Sequence, residues 1–282
     1  MVKTGLVLEG GAKRGIYTAG VLDVLLENGI KVDGVIGVSA GAIHGCSYVS
    51  EQIGRSIRFN MDYGNDWRFM SFRSWLVSGG VGNAKFCYHT LPEKLCPFDN
   101  AAFVKSKTDF YVVCSNVETG QAEYVQCYDM FQDIEYLRAS ASLPIFSRIV
   151  KIQDKKFLDG GICDSIPLKA FQSLGYDKNI VIETRPQGYQ KKKFALMWLV
   201  KLLYSKYPNF IKALENRHKM YNDELKYVEE EARKGRTLVI RPSRLIKISK
   251  MEHNLEIVKE MYELGRKDAL EKLAEIKAFV AK

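Results

Sequence analysis

Residues 32–41 read Val32-Asp33-Gly34-Val35-Ile36-Gly37-Val38-Ser39-Ala40-Gly41, an apolar run rich in β-branched residues that ends on a serine set between small neighbours. The run predicts a strand over 32–38, and residues 40–49 continue with helical character. Working outward, residues 4–9 read as a buried strand. Residues 15–27 carry helical spacing through Ile16, Ala19, Val21, Leu22, Leu25 and Leu26. A strand-helix-strand-helix order of this kind implies a largely parallel sheet with helices on its faces. Further strands are expected at 109–117, 122–127, 156–158, 179–183 and 237–241, the first two joined as a hairpin through Glu118-Thr119-Gly120. Periodicity is poor from 51 to 97. Beyond Pro186 the chain turns helical and charged, and 254–280 shows apolar residues at helical spacing. The economical division is a catalytic region, 1–186, and a mainly helical extension, 187–282, packed on the same domain.

The chain has 282 residues, 46% apolar and 27% charged, which is ordinary globular composition with enough apolar content for a sizeable core. Its formal net charge of +9 favours anionic partners such as phospholipid surfaces or nucleic acid, though simple solubility explains it equally well. The longest apolar run, 194–200, is far short of the ~20 residues of a membrane-spanning helix. The first strand leaves no room for a secretory signal, so a soluble cytoplasmic protein is expected, with peripheral contact at the inner membrane face allowed for. Six scattered cysteines contain no C-x-x-C pair and read as reduced core residues. Cys87, His89 and Cys96 fit no zinc spacing, so no metal is expected.

Gly37-Val38-Ser39-Ala40-Gly41 is a G-x-S-x-G sequence between strand and helix. A sharp turn there lifts the serine hydroxyl clear of the sheet, and the following helix aims its positive end at the site. The bland alternative is a glycine-bounded turn whose serine caps the helix. Glu9-Gly10-Gly11-Ala12-Lys13-Arg14-Gly15 is a second strand-to-helix turn. It lacks the Lys-Ser or Lys-Thr of a phosphate-binding P-loop and the glycine spacing of a dinucleotide site. An oxyanion hole suits it, because consecutive backbone N–H groups can face a developing negative charge. Lys156-Phe157-Leu158-Asp159-Gly160-Gly161 sets a carboxylate at a strand end, where Asp-Gly alone reads as a turn.

The histidines argue against a Ser-His-Asp triad. Only His218 and His253 follow Asp159, and both lie in charged helical surroundings; His44 points along the helix after Ser39, and His89 lies in the irregular segment. A two-residue Ser39–Asp159 site is the better hypothesis, with Asp159 in a dry setting that raises its basicity.

Together these motifs resemble the patatin-like phospholipase family. Residues 9–15 look like its acidic-Gly-Gly-Gly-x-Arg-Gly oxyanion loop, residues 37–41 its nucleophile turn, and Asp159-Gly160-Gly161 its aspartate motif. The segment Ala139-Ser140-Ala141-Ser142-Leu143-Pro144-Ile145-Phe146 resembles the alanine- and serine-rich stretch before that aspartate. The resemblance spans roughly 5–186 and departs at Ala12, where the family has a third glycine; the substitution is harmless provided the turn demands no positive φ there. It implies Ser39 as nucleophile, Asp159 as its base, and an oxyanion hole from the Gly10, Gly11 and Ala12 amides. Gly37 and Gly41 shape the nucleophile turn, and Arg14 orients the loop or attracts an anionic head group. It further implies a three-layer α/β/α sandwich, completed here by C-terminal helices, and hydrolysis of a fatty-acyl ester through an acyl-enzyme without calcium or other cofactor.

Two segments are candidates for contact with a lipid aggregate. Residues 67–76 mix Trp67, Phe69, Met70, Phe72, Trp75 and Leu76 with Arg68 and Arg73, and read as a mobile lid or cavity lining as readily as core packing. Residues 191–204 combine Lys191, Lys192 and Lys193 with the 194–200 run, which reads as core packing. Phospholipid or lysophospholipid hydrolysis leads. A carboxylesterase or thioesterase on soluble acyl substrates, and a lipid-binding protein with little turnover, are the alternatives. No nucleic-acid motif accompanies the charge, so no nucleic-acid partner is expected.

Overall fold

The computed structural model describes residues 2–281. Eight strands form one sheet: β1 (Thr4–Leu8), β2 (Gly34–Val38), β3 (Asp109–Asn116), β4 (Ala122–Cys127), β5 (Val150–Ile152), β6 (Lys155–Asp159), β7 (Lys178–Ile182) and β8 (Thr237–Ile240). The order across it is β5-β6-β3-β2-β1-β7-β8, with β4 paired to β3 off that path. The run β3-β2-β1-β7-β8 is parallel; β4, β5 and β6 join antiparallel. The expected hairpin is β3–β4, closed by the Asn116 amide on Gln121 O at 2.9 Å. The expected strands form within a residue or two of their ends. β5 was not anticipated, because three residues carry no alternation to read.

Side chains alternate between two cores. Leu6, Leu8, Val35, Val112, Ile180 and Ile182 face one side, with α1 (Ile16–Glu27), α2 (Ala40–Val49), α10 (Leu255–Glu271) and α11 (Leu273–Ala281) over them. Val7, Ile36, Val38, Val113 and Val181 face the other, under α7 (Leu168–Ser173) and α9 (Pro208–Arg233). The result is the three-layer α/β/α sandwich. α1 is buried from Ile16 to Leu25 because the sheet lies below it and α10 above. α9 starts with Pro208 at its first turn and buries one face through Phe210, Leu214, Tyr221 and Val228.

The aperiodic segment holds α3 (Arg55–Tyr63), α4 (Phe72–Ser78) and a π-helical stretch, Phe86–Leu95, that contains Pro92. α5 (Asn100–Lys105) and α6 (Ile134–Ser140) flank the hairpin, and α8 (Met197–Leu203) precedes α9. The 194–200 run corrects the core reading in part. Phe194, Met197 and Val200 pack inward, but Trp198 is 67% exposed. Among the described residues no helix is long and apolar enough to cross a membrane.

One feature of the sheet sets up the site. β3 pairs with β4 along one edge from Phe110 to Ser115, so its other edge must serve both β2 and β6. β2 takes the first half, ending with Val38 beside Val113. β6 runs in from the opposite direction and ends with Asp159 beside Cys114. The two strands meet head to head, and Ser39 and Asp159 are brought to the junction.

Candidate active site

Ser39 occupies the step between β2 and α2 with φ 54° and ψ −120°. That backbone region strongly favours glycine and costs about 1–3 kcal/mol for other residues. The turn is tightly enclosed: a Cβ on Gly37 would meet the Ala42 backbone at 2.5 Å, and one on Gly41 would strike Leu8 O. The Ser39 amide donates to Ser140 Oγ at 2.8 Å, and its carbonyl accepts from Ile43 N at 3.1 Å. Its hydroxyl does not cap α2, which removes the bland reading of this serine. The side chain instead stands beside the Asp159 carboxyl, close enough to oppose the effect of burial on it.

Asp159 is 2% exposed, and burial raises its carboxyl above the ordinary value, opposed first by the Arg217 charge and then by hydrogen bonding from Ser39 and Gly161. Its position is fixed on three sides. The Asp159 amide donates to Ser142 O at 2.8 Å, Ser115 Oγ donates to its carbonyl at 2.8 Å, and its Oδ1 accepts from Gly161 N at 2.9 Å. A dry carboxylate beside a serine hydroxyl, held from several elements, has the chemistry to accept a proton.

The glycine loop lies against this pair. A Cβ on Gly10 would meet Val38 O at 3.0 Å and Ser39 Cβ at 3.1 Å. Glu9 N–H still belongs to the sheet, donating to Ile182 O at 3.1 Å, and Arg14 N–H closes a tight turn on Gly11 O at 3.1 Å. Between them the amides of Gly10, Gly11 and Ala12 meet no protein acceptor among the described residues, which is what an oxyanion hole requires. Ala12 has φ 49°, so the proviso on the missing glycine is not met: the turn does demand the left-handed region there. Glu9 anchors the loop through Tyr221 OH at 2.7 Å and Thr184 N at 2.5 Å.

A largely apolar cavity of about 420 Å³ opens at Ser39, lined by Ala12, Ile43, Phe59, Phe69, Leu91 and Leu137, among others. His44 also borders it, yet its Nδ1 faces Ser56 Oγ at 3.0 Å and burial pulls the imidazole down to about 3, so it stays neutral. His89 faces Glu93, His218 faces Glu215 O and His253 faces Gly64 O. Phe69 and Met70 from the ambiguous 67–76 segment line the cavity, while Phe72 and Leu76 face outward. Cys87 Sγ donates to Phe69 O at 3.4 Å and does not converge with His89.

Four participants escaped the sequence reading. Ser140 and Ser142 were noticed only as part of a resembling segment, although they hold the Ser39 and Asp159 amide groups. Arg217 lies on α9, where its spacing looks like any charged face. Lys13 is buried, donating to Asn60 Oδ1 at 3.0 Å over the Phe69 ring, with burial holding its ammonium down to about 8.

A family model described as patatin-like phospholipase matches residues 6–171, and a second, a domain of unknown function, matches 207–281. The Escherichia coli (strain K12) protein YjjU is 26% identical over 273 residues, covering 94% of this chain and 75% of that protein. The lysophospholipase nte1 of Emericella nidulans is 30% identical over 199 residues, covering 66% of this chain but only 12% of that protein. Among solved structures, VipD from Legionella pneumophila aligns with a TM-score of 0.48 at 12% identity, covering 98% of this chain and 67% of that one. Because the family model spans more than half of the chain, the chain belongs to the patatin-like phospholipase family and at that level is a lipid acyl hydrolase.

Proposed function

We propose that the protein hydrolyses a fatty-acyl ester of a phospholipid or lysophospholipid with Ser39 as nucleophile and Asp159 as its base, without a histidine. The observation that carries this reading is the head-to-head meeting of β2 and β6 on one edge of β3. Ser39 Oγ attacks the acyl carbon while Asp159 takes its proton. The carbonyl oxygen becomes an oxyanion facing the Gly10, Gly11 and Ala12 amides. Asp159 then returns the proton to the departing alcohol, leaving an acyl-Ser39 ester. Water attacks that ester, its proton passing to Asp159, and the fatty acid leaves as Ser39 is restored. The cavity beside Ser39 suits the acyl chain, since its lining is mostly apolar and its volume is in the range of small-ligand sites.

Access from a bilayer is part of the same proposal. Phe72, Leu76 and Val77 on α4, and Trp198, Leu202 and Leu203 on α8, are all more than half exposed. Both helices are tied to one residue: Trp75 Nε1 donates to Ile145 O and Ile145 N donates to Tyr204 OH, each at 3.1 Å. Ser78 and Gly79, at the end of α4, border the cavity. This apolar rim is proposed as the peripheral contact with membrane.

The test is labelling with a fluorophosphonate and hydrolysis of a short ester. Ser39→Ala abolishes both, and Asp159→Asn lowers hydrolysis by about 10²–10⁴-fold. Persistent labelling of Ser39→Ala would sink the nucleophile. Because burial lifts the Asp159 carboxyl, the base form is lost below a pH higher than that of a free carboxyl near ~4. The acid limb of kcat/KM therefore lies above the free-carboxylate range, and Arg217→Gln, which removes the opposing charge, shifts it further up.

A further inference from the structure

Beside the Ser39–Asp159 pair, away from the acyl cavity, five cationic side chains gather without a carboxylate partner among the described residues. Arg14 lies in the glycine loop. Arg185 follows Thr184, whose amide bonds Glu9. Arg217 sits one helical turn before Tyr221, which also bonds Glu9, and its Nε donates to Gly161 O, two residues from Asp159. Lys191 Nζ stands 3.9 Å above the Tyr221 ring, and Lys250 lies within charge range of Arg217, Arg14 and Asp159.

Among the described residues none of the five forms an ion pair, although fifteen other lysines and arginines do. The Nε atoms of Arg14 and Arg185 are buried with no hydrogen-bond acceptor. Two carboxylates are in range, Glu9 and Asp159, and both Glu9 oxygens are already engaged by Tyr221 and Thr184. Mutual repulsion adds to burial in holding the Lys191 ammonium down to about 7. Unpaired buried guanidinium groups are costly, and a phosphate's oxygens are the acceptors whose geometry they match.

We infer that Arg14, Arg185, Lys191, Arg217 and Lys250 form a phosphate-binding subsite that holds the anionic phosphate of the substrate while its acyl chain enters the cavity past Ser39. The inference rests on the acyl-hydrolase reading and deepens it. The substrate class becomes a lipid ester bearing a phosphate close to the scissile bond. It also gives the C-terminal segment a task, since Arg217 and Lys250 lie in the part matched by the domain of unknown function.

Binding is tested on Ser39→Ala, where turnover plays no part. Titration of inorganic phosphate into that protein, followed by calorimetry and by thermal melting, gives a saturable stabilisation. The added pair Arg185→Gln and Lys191→Gln weakens it about tenfold or more. The exposed Lys250→Gln, made separately, weakens it to a smaller extent and guards against misfolding of the double variant. In the Ser39-intact protein, kcat/KM is compared for acyl-glycerol phosphate, acyl-glycerophosphocholine and the phosphate-free monoacylglycerol. The preference for phosphate-bearing esters falls by about the same factor in the variants. Phosphate binding indifferent to all three substitutions overturns the subsite. Phosphate binding without any preference among the esters overturns the head-group assignment, leaving a site for free phosphate. If Ser39 proves not to be the nucleophile, the binding arm still reports on the subsite alone.

Discussion

Ala12 holds φ 49° directly after Gly10 and Gly11, and it gains no donor that glycine would lack. The left-handed conformation costs an L-residue about 1–2 kcal/mol, of which roughly half is returned by the lower unfolded-state entropy of alanine. Ala12→Gly is therefore expected to stabilise the protein by about 0.5–1 kcal/mol, read as a rise of a few degrees in melting temperature. A fall in melting temperature would show that the methyl group's contact with the cavity matters more. Ser39, at φ 54°, is strained too, but its strain presents the hydroxyl to Asp159 and cannot be relieved without losing it. At this scale the sequence was most informative where the chemistry is local. Gly10, Ser39 and Asp159 announce themselves by their immediate neighbours. Ser140 and Arg217 do not, because each acts across the fold, on the Ser39 amide and on Gly161 O.

The elements show the same division. β1, β2, β3 and β7 are long apolar runs that read directly as strands. The 86–95 stretch did not read as a helix because a π-helical repeat has no 3.6-residue period, and Pro92 lies within it. The packing of α10 on α1 was equally illegible. It turns on Gly20 and Gly265, each of which in sequence is merely a glycine inside a helical pattern. A Cβ on Gly265 would run into Tyr17 O, and one on Gly20 would meet Arg266 N at 3.0 Å. Around that crossing Tyr262 OH donates to Asp23 Oδ2 at 2.6 Å, and Tyr17 OH to Asp268 Oδ2 at 3.0 Å. Backbone cannot yield as a flexible side chain does, so Gly265→Ala is expected to cost about 1–3 kcal/mol by separating the helices. Urea denaturation measures it; an unchanged midpoint would mean that the helices slide freely past each other.

At the scale of the whole molecule, the proposed membrane contact combines the apolar rim of α4 and α8 with a net charge of +9 that favours anionic bilayers. Trp198→Asp with Leu202→Asp is expected to weaken partition onto phosphatidylcholine–phosphatidylglycerol vesicles by about tenfold or more, measured by co-sedimentation. The melting temperature should move little, since both side chains face solvent. Undiminished partition would assign membrane contact elsewhere. Sequence could not settle this rim: helical spacing says that a face exists but not which neighbour covers it.

The α1–α10 crossing has a meaning in time as well as in space. Its hydrogen-bonded partners Asp23 and Tyr262 are separated by 239 residues of chain. A polypeptide leaving the ribosome therefore carries α1, which the finished fold buries from Ile16 to Leu25, long before its cover has been synthesised. α1 is thus enclosed only after α10 has been made, and in the interval its core-facing side chains lie open to other unfinished chains.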